Sequence, residues 1–484
     1  MSERLVLGPF NRVEGDLEVS LEVADGRVAA AYVNSPMFRG FEQILRGKDP
    51  RDALVLVPRI CGICSVSQSA AAAAALRAAM GLTVPENGEL AAALVQATEN
   101  LADHLTHFYL FFMPDFARDD YAGRPWFEAV RARFKAVQGS AAADALPARA
   151  AFLQLTGTLA GKWPHTLSLQ PGGSARAVSA AEKIRLYGQL REFRRWLETR
   201  LFGGALEDFA ALDSLAALRA WRGAGAAGPA DLRLFLDVAD DLGLGAIGRA
   251  TDRYFSYGAY ALHGEPLFAR GVWHPGLGAG RAAFDADAIV EDPTHAWLRG
   301  DPRHPWRGRT EPDADKDGAY SWCKAPRLAG EVMECGALAR QAVDGHPLAR
   351  ALVREGGGSV LARVVCRVLE LARVVPAMEA WVRALQPGAP FCAHGTLPDE
   401  AVGCGLVEAA RGGLGHWLTI RQGRIAGYQI IAPTTWNFSP RDGAGVPGAL
   451  EQALVGLSVG DARVPLAVQH VVRSFDPCMV CTVH

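Results

Sequence analysis

The chain has 484 residues, enough to bury a large core, and half of them are apolar. Its 50 basic and 52 acidic side chains give a formal net charge of −2, and no block of basic residues occurs, which excludes nucleic acid as a primary partner. Nine cysteines, an odd number, and no secretion-signal pattern at the start argue against a disulfide framework and predict a reducing, cytoplasmic location.

Two β-hairpins enclose a mostly helical chain. Residues 16–33 alternate apolar and polar side chains around Ala24-Asp25-Gly26, which predicts the first hairpin, and residues 416–431 predict the second around Arg421-Gln422-Gly423. Apolar residues at three- and four-residue spacing predict helices over 66–81, 88–112, 178–202, 328–343 and 358–385. Polar, Gly- and Pro-rich stretches at 221–230 and 298–318 predict surface loops. The fold class is therefore α+β, dominated by helices, with small sheets.

The most apolar helix is expected to pack inside the protein. The run from Ser69 to Met80 is Ala-rich but short, and Arg77 interrupts it. A membrane span needs about 20 apolar residues, so no direct membrane insertion is predicted.

Two Cys-x-x-Cys pairs lie near opposite ends of the chain, Cys61 with Cys64 and Cys478 with Cys481. Thiolates bind soft or borderline metals, and this spacing brings two sulfurs within reach of one ion. The spacing alone leaves structural zinc, an iron–sulfur cluster and a redox disulfide open. If both pairs meet in one site, the fold cannot be cut sequentially, and residues 1–484 form a single domain. The remaining cysteines are interpreted as small buried apolar residues: Cys323, Cys335, Cys366, Cys392 and Cys404.

Further sequence blocks accompany the two pairs. The pairs themselves lie in Arg59-Ile60-Cys61-Gly62-Ile63-Cys64 and in Asp476-Pro477-Cys478-Met479-Val480-Cys481-Thr482-Val483-His484. Other blocks are Arg12-Val13-Glu14-Gly15, Phe38-Arg39-Gly40-Phe41-Glu42, His104-Leu105-Thr106-His107, Pro164-His165, Lys324-Ala325-Pro326-Arg327, Arg411-Gly412 and Thr434-Thr435-Trp436-Asn437. Together, in this order, they resemble the large, catalytic subunit of [NiFe] hydrogenases. The resemblance implies that family's fold, with a central helical bundle and small β-sheets, and heterolytic cleavage of H2.

The resemblance also implies a metal centre and its ligands. All four thiolates, Cys61, Cys64, Cys478 and Cys481, would bind nickel. Cys64 and Cys481 would also bridge to an iron that carries carbon monoxide and cyanide, completing an NiFe(CN)2(CO) centre. Glu42 and His484 resemble ligands of a structural Mg²⁺, a hard ion that accepts carboxylate and water.

Proton transfer and outer hydrogen bonds are assigned in the same way. Cys478 is the expected first base, and Glu14 resembles the carboxylate that takes the proton next. Arg411 resembles a guanidinium held over the metals by Asp103 and Asp476. Three further residues are expected around the cofactor: Thr434 as a hydroxyl donor to cyanide, His107 as a proton relay or a packed histidine, and His165 as an outer donor.

Several features distinguish this chain from most of the family. Ile63 stands where Val is usual and Phe111 where Leu is usual, and both positions resemble those that line the gas channel in the family. The larger side chains would narrow that channel, so that it admits H2 and slows the larger O2. Pro is usual where this chain has Ala337 and Ala410, and His470 and Arg473 are exchanged relative to the common order. The sequence stops at His484, without the tail of family precursors, which fits either a processed chain or a gene without that tail.

Ile63, Phe111 and the absent tail together favour the regulatory, H2-sensing branch, with low turnover and O2 tolerance. The implied partners are an iron–sulfur small subunit in an obligate heterodimer, a dimer of heterodimers and a histidine kinase. An energy-conserving uptake hydrogenase is the alternative within the same chemistry. A non-catalytic zinc scaffold is the alternative from a different class.

Overall fold

The computed structural model describes residues 3–224, 230–461 and 465–482. Helix accounts for 46% of the chain and strand for 19%, so the predicted helix-dominated α+β class is confirmed. The strands are β1 Glu3–Leu7, β2 Glu18–Ala24, β3 Arg27–Asn34, β4 Leu169–Gln170, β5 Gly173–Ser174, β6 Tyr254–Leu262, β7 Glu265–Trp273, β8 Ile289–Asp292, β9 Ala325–Leu328, β10 Ala401–Ala409, β11 Gly412–Arg421 and β12 Arg424–Ile431. The helices are α1 Phe41–Leu45, α2 Ala53–Leu56, α3 Ser65–Met80, α4 Glu86–Thr106, α5 Phe127–Phe134, α6 Ser140–Ala160, α7 Ala180–Trp196, α8 Leu206–Ala210, α9 Leu215–Gly223, α10 Asp231–Asp241, α11 Ala337–Asp344, α12 Pro347–Gly356, α13 Val360–Ala384, α14 Pro433–Asn437, α15 Ala449–Leu454 and α16 Leu466–Ser474.

Both predicted hairpins are present. Asp25 and Gly26, at φ of 50° and 72°, connect β2 to β3, and Gln422 and Gly423, at 50° and 67°, connect β11 to β12. Positive φ at both turn residues is the geometry that matches the twist of the flanking antiparallel strands. Each hairpin gains a third strand that the sequence did not predict, β1 and β10, so the sheets run β1-β2-β3 and β10-β11-β12.

Strand β10 lies directly on α3. A Cβ atom at Gly403 or Gly405 would overlap the carbonyl oxygens of Ala75 and Ala71, so only glycine permits this approach of strand and helix backbones. Glycines weaken the alternating pattern that identifies a strand, which explains why β10 was not predicted.

Most predicted helices are confirmed, and one is wrong over half its length. The prediction over 88–112 corresponds to α4 and a π-helical turn, His107–Phe112, and that over 178–202 to α7 and a second π-helical turn, Leu197–Phe202. The prediction over 328–343 fails before Ala337. Residues 325–328 form strand β9, and Gly336, at φ 127°, precedes the helix in a conformation open mainly to glycine.

The predicted loops are largely confirmed. Residues 298–318 are irregular apart from one short 3₁₀ turn, Pro305–Arg307. Of the predicted loop at 221–230, the first three residues belong to α9, and residues 225–229 lie outside the described part of the chain. None of the described helices is long and apolar enough to cross a membrane.

Two apolar clusters hold the parts of the site together. The larger contains α4, α13 and α16 with strands β2 and β3, and the smaller surrounds the four cysteines of the two pairs with side chains from α3, β11 and β12. Of the other cysteines, three are buried as predicted, whereas Cys392 and Cys404 are partly exposed. The interpretation of all five as buried residues is therefore wrong for these two.

Candidate metal centre

Four buried thiols meet at one point. The Sγ atoms lie 3.4 Å apart between Cys61 and Cys478, 3.2 Å between Cys64 and Cys481, and 2.9 Å between Cys478 and Cys481. All four lie within 4.8 Å of one another. Thiolates bound about 2.3 Å from one ion can lie up to ~4.6 Å apart, and the three separations of 2.9 to 3.4 Å are well within this reach, so one metal can be shared by these sulfurs. Four thiolates this close repel each other strongly in a buried site, and a cation is needed to neutralise them.

The two pairs reach this point from opposite directions. Cys64 lies at the N-terminus of α3, and its carbonyl accepts a hydrogen bond from the backbone N–H of Gln68. Cys478 follows α16 and pairs with Glu14 in a parallel bridge. These contacts bring segments from near both ends of the chain together at the four thiols.

Glu99 holds the helix that follows Cys64. Its carboxylate accepts the backbone N–H groups of Val66 and Ser67 at 2.8 and 2.9 Å and the indole N–H of Trp163 at 3.0 Å. Backbone donors at a helix N-terminus have no partner within the helix, and a carboxylate there satisfies them. Burial raises the pKa of Glu99 to about 7. Sequence reasoning missed this residue because it lies on α4, with no local pattern connecting it to the cysteines.

Arg411 lies beside the thiols in a buried ion-pair cluster. It occupies the two-residue turn between β10 and β11, and its guanidinium contacts Asp103 twice, at 3.0 Å each, and Asp476 at 3.1 Å. Its Nε also donates to the Asp476 carbonyl at 2.9 Å. Burial opposes the positive charge, but the two carboxylates outweigh it and raise the pKa of Arg411 well above its usual value. The structure thus brings together the three residues that the sequence predicted as partners.

Arg340 fixes the turn that carries Arg411 through hydrogen bonds to its backbone. This buried side chain donates to the carbonyls of Ala409 and Ala410 at 2.8 and 2.9 Å and pairs with Glu370 and Glu408. Sequence reasoning gave Arg340 no role, because no local pattern connects it to the turn that carries Arg411.

Glu14 is half-buried next to the Cys478 loop. Its N–H donates to the Pro477 carbonyl at 3.3 Å, and its carbonyl accepts the N–H of Met479 at 2.7 Å. Burial raises the pKa of the Glu14 carboxyl, and the negative charge of a Cys61 thiolate adds to this effect. The carboxyl is therefore easier to protonate than one in water.

Thr434, at the start of α14, contacts the Cys478 loop directly. Its hydroxyl oxygen accepts the backbone N–H of Cys478 at 3.1 Å, which leaves the hydroxyl proton free to donate elsewhere.

The two predicted histidines contact the backbone around the centre. His107 is buried, its Nε2–H donates to the Arg473 carbonyl at 2.7 Å, and burial lowers its pKa to about 3. These contacts favour the packed histidine over the relay. His165 has φ 63°, and its Nδ1–H donates to the Pro58 carbonyl at 2.9 Å, so it supports the segment before Cys61.

Glu42 lies in a separate buried polar cluster. It accepts the N–H of Ile430 at 2.7 Å and the hydroxyl of Thr310. Nearby, the ammonium of Lys324 pairs with Glu291 at 3.0 Å, and Oε1 of Glu291 has no hydrogen-bond partner. A buried carboxylate oxygen without a partner is suited to a cation or to its bound water. The other predicted magnesium ligand, His484, lies outside the described residues.

The two predicted channel residues differ in their surroundings. Ile63 is partly buried and packs against the cluster that contains the four cysteines. Phe111 is partly exposed within the π-helical turn. Ile63 thus packs close to the four cysteines, and the gas-channel roles of both residues stay predictions.

Comparison with known proteins identifies the family. The family described as nickel-dependent hydrogenase matches residues 39–119 and 140–484. The chain is also 31% identical to the periplasmic [NiFeSe] hydrogenase large subunit of Desulfomicrobium baculatum, over 99% of this chain and 95% of the relative. The chain belongs to the nickel-dependent hydrogenase family. Its four-cysteine cluster lies at the active site of this nickel-dependent hydrogenase.

Further relatives and a solved structure align with this hydrogenase over its whole length. It is 28% identical to the Hydrogenase-2 large chain of Escherichia coli K12, over 100% of this chain and 97% of the relative. It is 26% identical to the uptake hydrogenase large subunit of Rhodobacter capsulatus, over 100% and 95%. A solved [NiFeSe] hydrogenase of Dm. baculatum has a TM-score of 0.85 and 29% identity, with both chains covered completely. The predicted large-subunit fold is therefore confirmed.

Proposed function

We propose that this hydrogenase is the catalytic large subunit of a [NiFe] enzyme that cleaves H2 heterolytically and passes the electrons to an iron–sulfur small subunit. The observation that carries the proposal is the convergence of four buried thiols from both ends of the chain. A relative of this chain is named a [NiFeSe] hydrogenase, for the selenium in its centre, whereas this chain has cysteine sulfur at all four positions. Cys64 and Cys481 would also hold an iron that carries carbon monoxide and cyanide.

The bound nickel–iron group would supply a redox-active Lewis acid that takes the electron pair of H2. The chain's own residues handle the proton and the charge. Arg411, fixed by Asp103 and Asp476, presents a cation beside the thiols and donors to anionic ligands. The sulfur of Cys478 accepts the proton first. The half-buried carboxyl of Glu14, joined to the same loop by backbone hydrogen bonds, accepts it next.

The electrons need a second chain. Among the described residues, the four cysteines are the one group of three or more His, Cys, Asp and Glu side chains that could hold a metal ion. An electron relay therefore has to lie in a partner, and the relatives named as large subunits support an iron–sulfur small subunit.

A structural Mg²⁺ at Glu42 completes the proposed cofactors. The unpartnered oxygen of Glu291 and the buried carboxylate of Glu42 fit the oxygen donors that this ion prefers.

Metal analysis and infrared spectroscopy of the purified heterodimer test the function. We expect nickel, and iron in excess of nickel because the iron–sulfur small subunit also carries iron, with absorption bands from carbon monoxide and cyanide. Zinc in place of nickel, together with the absence of those bands, would instead identify a zinc scaffold.

We propose further that this hydrogenase works in the cytoplasm as an H2 sensor, in a dimer of heterodimers that signals to a histidine kinase. Support comes from Ile63, whose side chain is longer than the usual Val. It packs against the cluster that contains the four cysteines and would narrow the last part of the gas channel. The relatives named periplasmic and uptake hydrogenases favour the alternative, an uptake enzyme that conserves energy.

Gas access distinguishes these roles. In the sensor, H2 oxidation under air continues in the wild type and is lost in the double variant Ile63→Val/Phe111→Leu, because the wider channel admits O2. Ile184→Val, at an exposed position on α7, is the matched control and should behave as wild type. Equal O2 inhibition of the wild type and the double variant would show that these residues do not form a gate.

A further inference from the structure

A cavity of about 550 Å³ lies between the C-terminus of α1, strand β12 and the loop at 303–310. We name it the arginine cavity because five arginines are among its lining residues: Arg46, Arg303, Arg307, Arg309 and Arg421. Glu42 is the only acidic residue in its described lining, and both of its oxygens already accept hydrogen bonds. The cavity is separate from the four cysteines, none of which lines it.

The arginines are not balanced by neighbouring carboxylates. Arg303 and Arg309 pair only loosely, at 3.6 and 3.8 Å, with acids that are themselves largely exposed. Arg46, Arg307 and Arg421 make no ion pair or side-chain hydrogen bond with any described residue. The chain as a whole is slightly acidic, so a basic composition does not explain this local excess of positive charge. Like charges that share a concave wall repel one another, and a bound anion would remove that repulsion.

The wall that carries these arginines is firmly fixed. The amide of Gln43 donates to the Thr310 carbonyl at 3.1 Å, and the amide of Gln429 donates to the Thr310 hydroxyl at 3.3 Å. A Cβ atom at Gly308 would overlap the side chain of Gln429, so glycine allows the loop to lie directly against β12. A fixed frame reduces the ordering that a ligand must impose, which favours binding.

We propose that the arginine cavity binds a small molecule through at least two linked phosphate groups. A guanidinium forms paired hydrogen bonds to phosphate oxygens, and three unpaired arginines exceed what one phosphate needs. The volume lies within the range of about 300–1,000 Å³ typical of small-ligand pockets. Inorganic pyrophosphate and a nucleotide share this chemistry. Trp306, in the same lining and half-buried, offers a flat surface for the ring of a nucleotide.

Isothermal titration of the purified heterodimer with pyrophosphate and, separately, with ATP tests the proposal. We expect saturable binding that Arg307→Ala/Arg421→Ala weakens by roughly tenfold or more, because each of the two replaced arginines would form charge-assisted hydrogen bonds to phosphate. Arg185→Ala/Arg195→Ala is the matched control. It removes the same charge from exposed positions on α7, outside the cavity, and should bind as wild type. Tighter binding of ATP than of pyrophosphate identifies a nucleotide, and equal binding identifies the phosphates alone as the ligand.

Three outcomes would overturn the proposal. These are no saturable binding of either compound, binding that both double variants weaken equally, and loss of small-subunit assembly in Arg307→Ala/Arg421→Ala. The last would show that the cavity is a protein interface. The proposal does not depend on the metal content of the cysteine cluster, so its failure and that of the proposed function are distinguishable.

Discussion

Glu14 illustrates how a catalytic group can be placed by its backbone. Both its N–H and its carbonyl bond to the loop that carries Cys478, so the backbone from which the carboxyl extends is fixed relative to that thiol. Gly15, at φ 78°, lies against the backbone of Val480, where a Cβ atom would not fit. The position of the carboxyl therefore depends on glycine at the next residue as much as on glutamate itself.

Replacing Glu14 by Gln removes the proton acceptor and preserves the shape of the side chain. We expect exchange between D2 and solvent protons to fall by roughly a hundredfold or more, the usual range for loss of a general acid–base group. The infrared bands of the cofactor should remain, because Glu14 donates no ligand to the metals.

Asp16→Asn is the control for this variant, since it makes a similar change at an exposed position two residues away. A wild-type rate of exchange in Glu14→Gln would exclude Glu14 from the proton path, even though the pKa of its carboxyl is raised.

At the scale of elements, the β10–β11 turn determines where Arg411 lies. Arg340 binds the two carbonyls before Arg411 and is itself held between two buried glutamates. A lysine at position 340 would keep the charge but lose most of these bonds, because one ammonium group cannot match a planar fork of donors.

Arg340→Lys is therefore expected to lower the free energy of unfolding by about 1–3 kcal/mol for the lost bonds to charged groups. It should also shift the cyanide bands, because Arg411 would no longer be held in place. Urea unfolding and infrared spectra measure the two effects.

Arg327→Lys is a matched control, since Arg327 is also buried and pairs with Asp442 at 2.8 Å, far along the chain from the Arg411 turn. It should lose similar stability with unchanged spectra. The same spectral shift in both variants would show that Arg340 contributes to general stability and does not position Arg411.

Elements differ in how far the sequence predicts them. The hairpin turns at Asp25-Gly26 and Gln422-Gly423 are local, because the preference of these residues for positive φ acts within two positions. The π-helical turn at His107–Phe112 is not visible in the apolar spacing, since its period differs little from that of an α-helix over six residues. The start of α11 was misplaced because the apolar residues of β9 continue the helical spacing.

At the scale of the whole molecule, the cysteines were predictable and their supports were not. The four thiols and the Arg411 cluster lie in short sequence blocks that can be read locally. Glu99 and Arg340 act through contacts more than 30 residues away, where no spacing rule applies. The exchange of His470 and Arg473, visible in the sequence, had no meaning until the structure placed both residues against Asp115.

Asp115 joins the separate segments of the site. It lies just after the π-helical turn that follows α4, the helix that carries Asp103, and it accepts a hydrogen bond from Arg473 on α16 at 2.6 Å and another from Arg12. Arg473 also donates to Asn11, three residues before Glu14. One buried carboxylate thus connects the segments that carry Glu14, Asp103 and Cys478.

Burial opposes ionisation of Asp115, but His470, Arg473 and Arg12 outweigh it and hold its pKa well below the usual range. Because the folded pKa is depressed, its contribution to stability is complete above the unfolded pKa of about 3.9 and is lost as the pH falls below it. Asp115→Asn should therefore lower the free energy of unfolding at neutral pH by about 3–5 kcal/mol, since it leaves buried arginines uncompensated. It should also flatten the loss of stability in acid.

The same variant should slow D2 exchange, because Arg12 and Arg473 would lose the carboxylate that connects the Glu14 segment to α16. Asp231→Asn is the control. Asp231 is a buried aspartate paired with Arg133 at 2.7 Å, away from both ends of the chain, and its loss should destabilise the fold without altering exchange. Measured at equal folded fraction, slower exchange in Asp115→Asn alone would identify Asp115 as a positioning residue. Equal exchange in the two variants would limit its role to stability, since the Glu14–Cys478 backbone bonds would then suffice to place the proton acceptor.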